Sequence, residues 1–168
     1  LPKDKITLTR AELSSIKDFK KEVVASYYKA SENDTPLSLA LTAVKNALSN
    51  AKNTPSEIGS IIYADSWLKD YQQWSLASAL CRDLGIPDKM FLDIYQGCNL
   101  LIAIELAQNI LIGRKDFKNI LIVTSKVLPP KLGDHKTIDR GSVHSDGAVA
   151  IILNRDEGEF EILSNSIL

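Results

Sequence analysis

The sequence predicts an α/β domain, a sheet covered on both faces by helices. Three observations carry this. Helical patterns alternate with short apolar runs along the chain. Those runs, such as "SIIYA" and "NILIV", are apolar at successive positions rather than at every second one, as in strands buried on both faces. The length of 168 residues with 45% hydrophobic content suits one ordinary domain with a real core.

The elements follow in order. From Arg10 to about Tyr28 the pattern is mixed and polar and predicts one helix followed by a loop. "ENDTPLSLALTAVKNALSNAK" predicts a clearer helix. Asp34 or Thr35 can cap it and Pro36 suits its first position. Leu37, Leu39, Ala40, Ala43, Val44 and Leu48 make one apolar stripe along it. "TPSEIGSIIYAD" reads as a turn of helix and a buried strand near Ser60 to Ala64. Residues 74–84 predict a second helix, ended by Gly85 and Pro87, with Trp74 in the core.

"MFLDIY" is a strand, and "NLLIAIELAQNILIG" a helix stopped at Gly113. "KNILIVTS" is a strand, followed by the long polar loop "KVLPPKLGDHKTIDRGSVHSDG". Two closing strands, "AVAIIL" and "EFEILS", are joined by the turn "NRDEGE". The helix after "MFLDIY" is apolar on nearly every side. Such a helix is a buried one, sandwiched between two sheets. One chain of this length does not supply that much covering protein, so a second half, a second copy or both are expected.

Composition excludes several classes. The formal net charge is −1, and no basic block is long enough to track nucleic acid. The longest apolar run, about residues 97–112, is too short for a membrane span and contains Glu105. Two cysteines do not make a disulfide framework, which points to a reducing, cytoplasmic setting. No Cys/His cluster has metal-ligand spacing, and no glycine-rich phosphate loop occurs, so neither metal nor cofactor is expected. The chain opens "LPKDKITLTR" without methionine, which suggests a piece of a longer protein.

Cys98 sits between the strand "MFLDIY" and the apolar helix. A side chain at such a joint lies at the positive end of the helix dipole, beside N–H groups that lack helical partners. Both effects favour the thiolate, which is the nucleophile, and the same N–H groups can hold the oxyanion of an acyl intermediate. Gly97 leaves space beside the sulfur. A small buried hydrophobe is the commoner fate of a free cysteine, and spacing alone leaves both readings open. Cys81, within "LASALCRDLG", reads as core.

Four stretches decide between them by resemblance. "TPLSLALTAVKNALSNAKNTPSEIGSIIYAD", "SLASALCRDLGIP", "FLDIYQGCN" and "SDGAVAIIL" follow one another in order and nearly in register with a known family. The chain resembles the N-terminal half of a β-ketoacyl-acyl-carrier-protein synthase III, in the thiolase-like superfamily. There "FLDIYQGCN" is similar to the family's "FDINAACSG" and "SDGAVAIIL" to its "GDGAGAVVL". The likeness runs from about residue 30 to residue 155.

The resemblance implies one thiolase-like domain over residues 1–168, with the first strand of the fold before Leu1. It implies a mixed five-stranded sheet with helices on both faces and the nucleophile at the start of a buried helix. Cys98 would be that nucleophile, its backbone N–H an oxyanion donor, and Trp67 and Leu68 would line the acyl pocket; packing of Trp67 in a dimer contact or under a loop is the alternative. The substrates would be thioesters of coenzyme A or acyl carrier protein. The partners would be the C-terminal half of the fold and a second copy, paired through the edge strand "NILIVTS". The family's catalytic His and Asn lie in that C-terminal half.

Departures bear on this. Asn99 stands where the family often has Ser or Ala, Leu100 where it usually has Gly, and Val149 where Gly is common. The loop from Val127 to Asp146 is about two residues short. His135 and His144 match neither catalytic residue and read as surface or locally bonded imidazoles. Asp146, Gly147 and Ala148 read as a tight turn. "GRKDFK", residues 113–118, could meet the phosphates of a carrier or coenzyme A, though a solvated turn explains it as well. A non-catalytic thiolase-like subunit is the rival reading. A thiol hydrolase or redox domain pairing Cys98 with either histidine lacks any partner spacing.

Overall fold

The computed structural model describes residues 4–9, 26–65, 73–95, 99–129, 131, 133–135 and 143–162. The main sheet uses β3 (Ile58–Asp65), β4 (Met90–Tyr95), β5 (Asn119–Lys126) and β6 (Gly147–Asn154). Their order is β4-β3-β5-β6. β4 and β5 run parallel to β3, with Ile61 opposite Phe91 on one side and Leu121 on the other. β6 is antiparallel to β5, from Asn119↔Asn154 to Lys126↔Gly147. A separate antiparallel ribbon pairs β1 (Asp4–Thr7) with β2 (Ser26–Lys29).

Successive strand residues face opposite ways, so the sheet has two cores. On one face Ile61, Tyr63, Leu121 and Val123 pack against α1 (Pro36–Asn50) and α2 (Leu76–Asp83), through Ala40, Val44, Leu48, Leu76, Leu80 and Cys81. On the other, Ile62, Ala64, Ile120 and Ile122 pack against α3 (Asn99–Gly113), through Ala103, Ala107 and Leu111. The expectation of a mixed sheet with helices on both faces holds.

Local chemistry starts and stops the helices. Thr35 Oγ1 accepts from Ser38 N at 3.1 Å and Ser38 Oγ accepts from Thr35 N at 2.9 Å, a reciprocal cap ahead of α1. α1 ends as Lys52 turns into the left-handed region at φ 55°. Ser75 Oγ accepts from Ser78 N at 2.9 Å at the start of α2, and Gly85 ends it at φ 73°. Inside the first core Tyr63 Oη lies 2.6 Å from Ser125 Oγ, which donates to the Pro36 carbonyl at 2.7 Å. That buried chain fixes the first turn of α1 over β3 and β5.

Several expectations change. The main sheet has four strands among the described residues, where five were expected. Residues 159–162 of "EFEILS" form no strand. Residues 26–29, expected as the end of a loop, are β2. The strand "NILIVTS" is not an edge: β5 lies between β3 and β6, and its first five residues are fully buried, as befits an interior position. The open edges among the described strands are β4 and β6. Gly147 and Ala148 belong to β6 rather than to a turn. Trp74 is 45% exposed and lies outside the core, with the Arg82 guanidinium 5.3 Å from its ring centre. Finally, α3 buries one stripe, not its whole surface; Leu101 is 56% and Ile112 68% exposed.

Candidate functional site

The three parallel strands β3, β4 and β5 end at one edge of the sheet, at Asp65, Tyr95 and Lys126. Residues 96–98 follow β4, and α3 begins at Asn99, directly after Cys98. The expected strand–helix joint is therefore bracketed by a strand and a helix of the right kinds. Cys98 itself, with Gln96 and Gly97, lies outside the described residues, and so do Trp67 and Leu68. The structure does not bring these together or separate them. Asp65 pairs with Tyr95, so the chain leaving β3 toward Trp67 starts beside the chain leaving β4 toward Cys98.

The residues flanking Cys98 are tied on two sides. Asp93 Oδ1, on β4, accepts from Ala77 N in the first turn of α2 at 3.1 Å. Asn99 Nδ2 reaches back to the Ile94 carbonyl at 3.4 Å. Leu100, in the place of a family glycine, packs with Leu92 and Ile94 against the α3 core. Its bulk is directed into the sheet interface.

The two histidines have structural tasks. His135 is buried, and its ring stacks on Tyr27 with centroids 5.2 Å apart. His135 Nε2 lies 2.9 Å from Asp146 Oδ2, an ion-pair distance, yet the approach is too oblique to make a hydrogen bond. Asp146 Oδ2 accepts from Ala30 N and its Oδ1 from Leu128 N, each at 2.8 Å. His144 Nδ1 bonds Lys126 Nζ, and His144 N donates to the His135 carbonyl at 2.8 Å. An ammonium can only donate, so Nδ1 is the acceptor. These contacts pin the segment between β5 and β6 and join it to β2. Sequence reasoning missed Asp146 as the centre of this lock. The available signal was a lone carboxylate at the entry to the apolar strand "AVAIIL".

"GRKDFK" begins at the C-terminal end of α3, about 20 Å from Asn99 at 1.5 Å per residue. Arg114 is engaged locally. It forms two bonds to Asp116, at 2.9 and 2.7 Å, and lies 4.2 Å over the Phe117 ring. Those bonds hold the Asp116 carboxyl below its ordinary pKa. Arg155 donates to the Arg114 and Phe117 carbonyls at 2.8 and 2.9 Å. The segment is a braced turn remote from the start of α3. Cys81 is 1% exposed, and burial pushes its thiol up to about 11. Among the described residues, no group of three His, Cys, Asp or Glu side chains could hold a metal. Nor is any of their helices long and apolar enough to cross a membrane.

No protein-family model matches the chain. It is 30% identical over 130 residues to β-ketoacyl-[acyl-carrier-protein] synthase III 2 of Bacillus anthracis, which covers 77% of this chain and 39% of that protein. Among solved structures it superposes on the acyltransferase ChlB3 with a TM-score of 0.81 at 24% identity, over 94% of this chain and 48% of that one. It also superposes on 3-oxoacyl-[acyl-carrier-protein] synthase III from Aquifex aeolicus VF5, with a TM-score of 0.74 at 25% identity, over 95% of this chain and 52% of that one. The chain thus spans about half the length of the proteins it matches. In sequence and in fold it is like the N-terminal half of a β-ketoacyl-acyl-carrier-protein synthase III, within the thiolase-like superfamily.

Proposed function

We propose that this chain is the nucleophile-bearing half of an acyl-thioester transferase of the ketoacyl synthase III type, working in the cytoplasm. The Cys98 thiolate attacks the thioester carbonyl of an acyl-coenzyme A or acyl-carrier protein. A new carbon–sulfur bond forms, the old one breaks, and the released thiolate takes up a proton. The acyl group then rests on Cys98 for condensation or transfer. The backbone N–H of Cys98 serves as an oxyanion donor, and Trp67 and Leu68 line the acyl pocket. The other half of the fold supplies the His and Asn that the resemblance assigns to condensation. A second copy completes a homodimer, and β4 offers it an open strand edge that β5 does not.

One observation carries this reading: the 130-residue likeness to a synthase III, with a cysteine directly before the first residue of α3. Incubation with acetyl-coenzyme A and peptide mass mapping tests it. Acetyl should appear on the peptide holding Cys98 and vanish in Cys98→Ser. Label on Cys81, or none on either cysteine, overturns the assignment.

The uncovered apolar flank of α3, with Leu101 and Ile112 exposed, also suits a subunit whose role is to offer surface. Such a non-catalytic partner would bind its other half normally and leave Cys98 no more reactive than an ordinary thiol.

A further inference from the structure

Among the described residues, α3 is covered on one side. Ala103, Ala107 and Leu111 face the sheet and are buried. On the opposite side Leu101, Glu105 and Asn109, spaced four apart, make one exposed ridge, and Ile112 extends it. Ile102 and Ile104 flank this ridge, half-buried. A single exposed leucine needs no explanation, but a row of large aliphatic side chains along one helix face does. Glu105 sits in the middle of that row. It is the only charged residue of α3, it is exposed, and it has no salt-bridge partner among the described residues.

We propose that the outward face of α3 docks an apolar helix of the other half of the fold, and that this helix carries one Arg or Lys that pairs with Glu105. The proposal rests on the reading of the chain as one half of a two-half fold. The chain fills 48% of ChlB3 and 52% of the Aquifex synthase, so each of those proteins has about as much chain again. A wholly apolar cover would take water from the Glu105 carboxylate and return no partner, at a heavy desolvation cost. The cover therefore has to bring a donor, and a cation is the donor that repays most. A helix suits the face because a ridge at four-residue spacing fits the groove between the rows of another helix. The 15 residues of α3 offer such a helix about 22 Å of contact length. Two other occupants fit worse. The same face of a second copy would bring another carboxylate and no cation, and the open edge of β4 remains for that copy. A bilayer surface favours Lys and Arg beside apolar residues, and α3 has neither.

Two fluorescent peptides serve as probes. Both are amphipathic Leu/Ala helices of about 22 residues, long enough to hold a helix in water. They differ only at the centre of the apolar stripe, which is Arg in one and Glu in the other. Fluorescence anisotropy reads their binding to residues 1–168. The Arg peptide should bind at least about tenfold more tightly than the Glu peptide, and in Glu105→Gln the two should fall within about twofold of each other. Leu101→Asn and Ile112→Asn should each weaken the Arg peptide about tenfold, through lost apolar contact. Both side chains are exposed, and circular dichroism checks that the fold is kept. Equal affinity for the two peptides, or no binding by either, overturns the proposal. So does binding that survives both asparagine substitutions. A dimer of residues 1–168 that Leu101→Asn dissociates in sedimentation would give the face to a second copy and overturn it as well. None of these readouts involves Cys98, so a failure of docking and a failure of acetyl transfer are told apart.

Discussion

Asp146 shows how one buried carboxylate can organise a region that composition marks as loop. It is 3% exposed, accepts the backbone N–H groups of Ala30, 116 residues away in sequence, and of Leu128, 18 residues away, and faces His135. Asp146→Ala should cost about 2–4 kcal/mol, because it leaves the Ala30 and Leu128 amides without their acceptor at once. Urea unfolding measures this; a loss below about 1 kcal/mol would mean that water replaces the carboxylate. Cys81 gives a second expectation. Its thiol is raised from 9.0 to about 11 by burial, so between those values the folded state holds a proton that the unfolded state has lost. Stability is then complete below about pH 9 and falls as pH rises toward 11, by up to about 3 kcal/mol. Urea midpoints at pH 8 to 10.5, compared with Cys81→Ala, isolate the effect from other titrating groups. A parallel decline in that variant would assign the loss elsewhere. At position 67, Trp67→Ala in the complete enzyme should widen acyl acceptance, since a hydrophobic pocket discriminates by about 1–3 kcal/mol per methylene. An unchanged chain-length profile would remove Trp67 from the pocket.

Elements were legible where one physical effect dominates. β3 and β5 show as unbroken apolar runs because both of their faces are covered, and α1 shows through Thr35, Pro36 and its Ala40–Val44–Leu48 stripe. The same apolarity of β5 marks an interior strand, so treating it as a dimer edge set resemblance above the residues themselves. β4, with Phe91 and Tyr95 exposed, has the mixed character of an edge. β1 and β2 escaped because four-residue polar strands carry little periodic signal and their pairing is set by partners distant in sequence. The strand and helix on either side of Cys98 were visible from their apolar runs, whereas the Asp146 lock depends on contacts with Ala30 and Leu128 that no local pattern encodes. Helix endings offer a check at this scale. Lys52 occupies the left-handed region at φ 55°, where a Cβ is strained. Lys52→Gly should therefore stabilise the fold by about 0.5–1 kcal/mol, read as a higher urea midpoint at constant slope. A lower midpoint would show that the lysine side chain contributes more than its backbone costs.

The molecule as a whole bears half of the proposed chemistry. Residues 1–168 alone should form a thioester on Cys98 yet give no ketoacyl product from an acyl-coenzyme A and malonyl-carrier protein. Forming the thioester requires a thiolate and oxyanion donors. Decarboxylation leaves an enolate that needs donors aimed at its oxygen, each worth about 2.7–4 kcal/mol, and the resemblance assigns these to the other half. Mass detection of product at the rate of an intact synthase would return that task to groups within this chain. The strand order has a further consequence. α2, which follows β3, and α3, which follows β4, pack on opposite faces of the sheet, although β3 and β4 are neighbours. Their outgoing chains must part at the carboxyl ends of these strands, and an open α/β sheet gains a crevice where neighbouring connections diverge in this way. Asp65 and Tyr95, the last residues of β3 and β4, stand side by side at this topological switch point. If Trp67 and Cys98 share one acyl group there, as proposed, the effects of Trp67→Ala and Cys98→Ser on acyl binding should be non-additive.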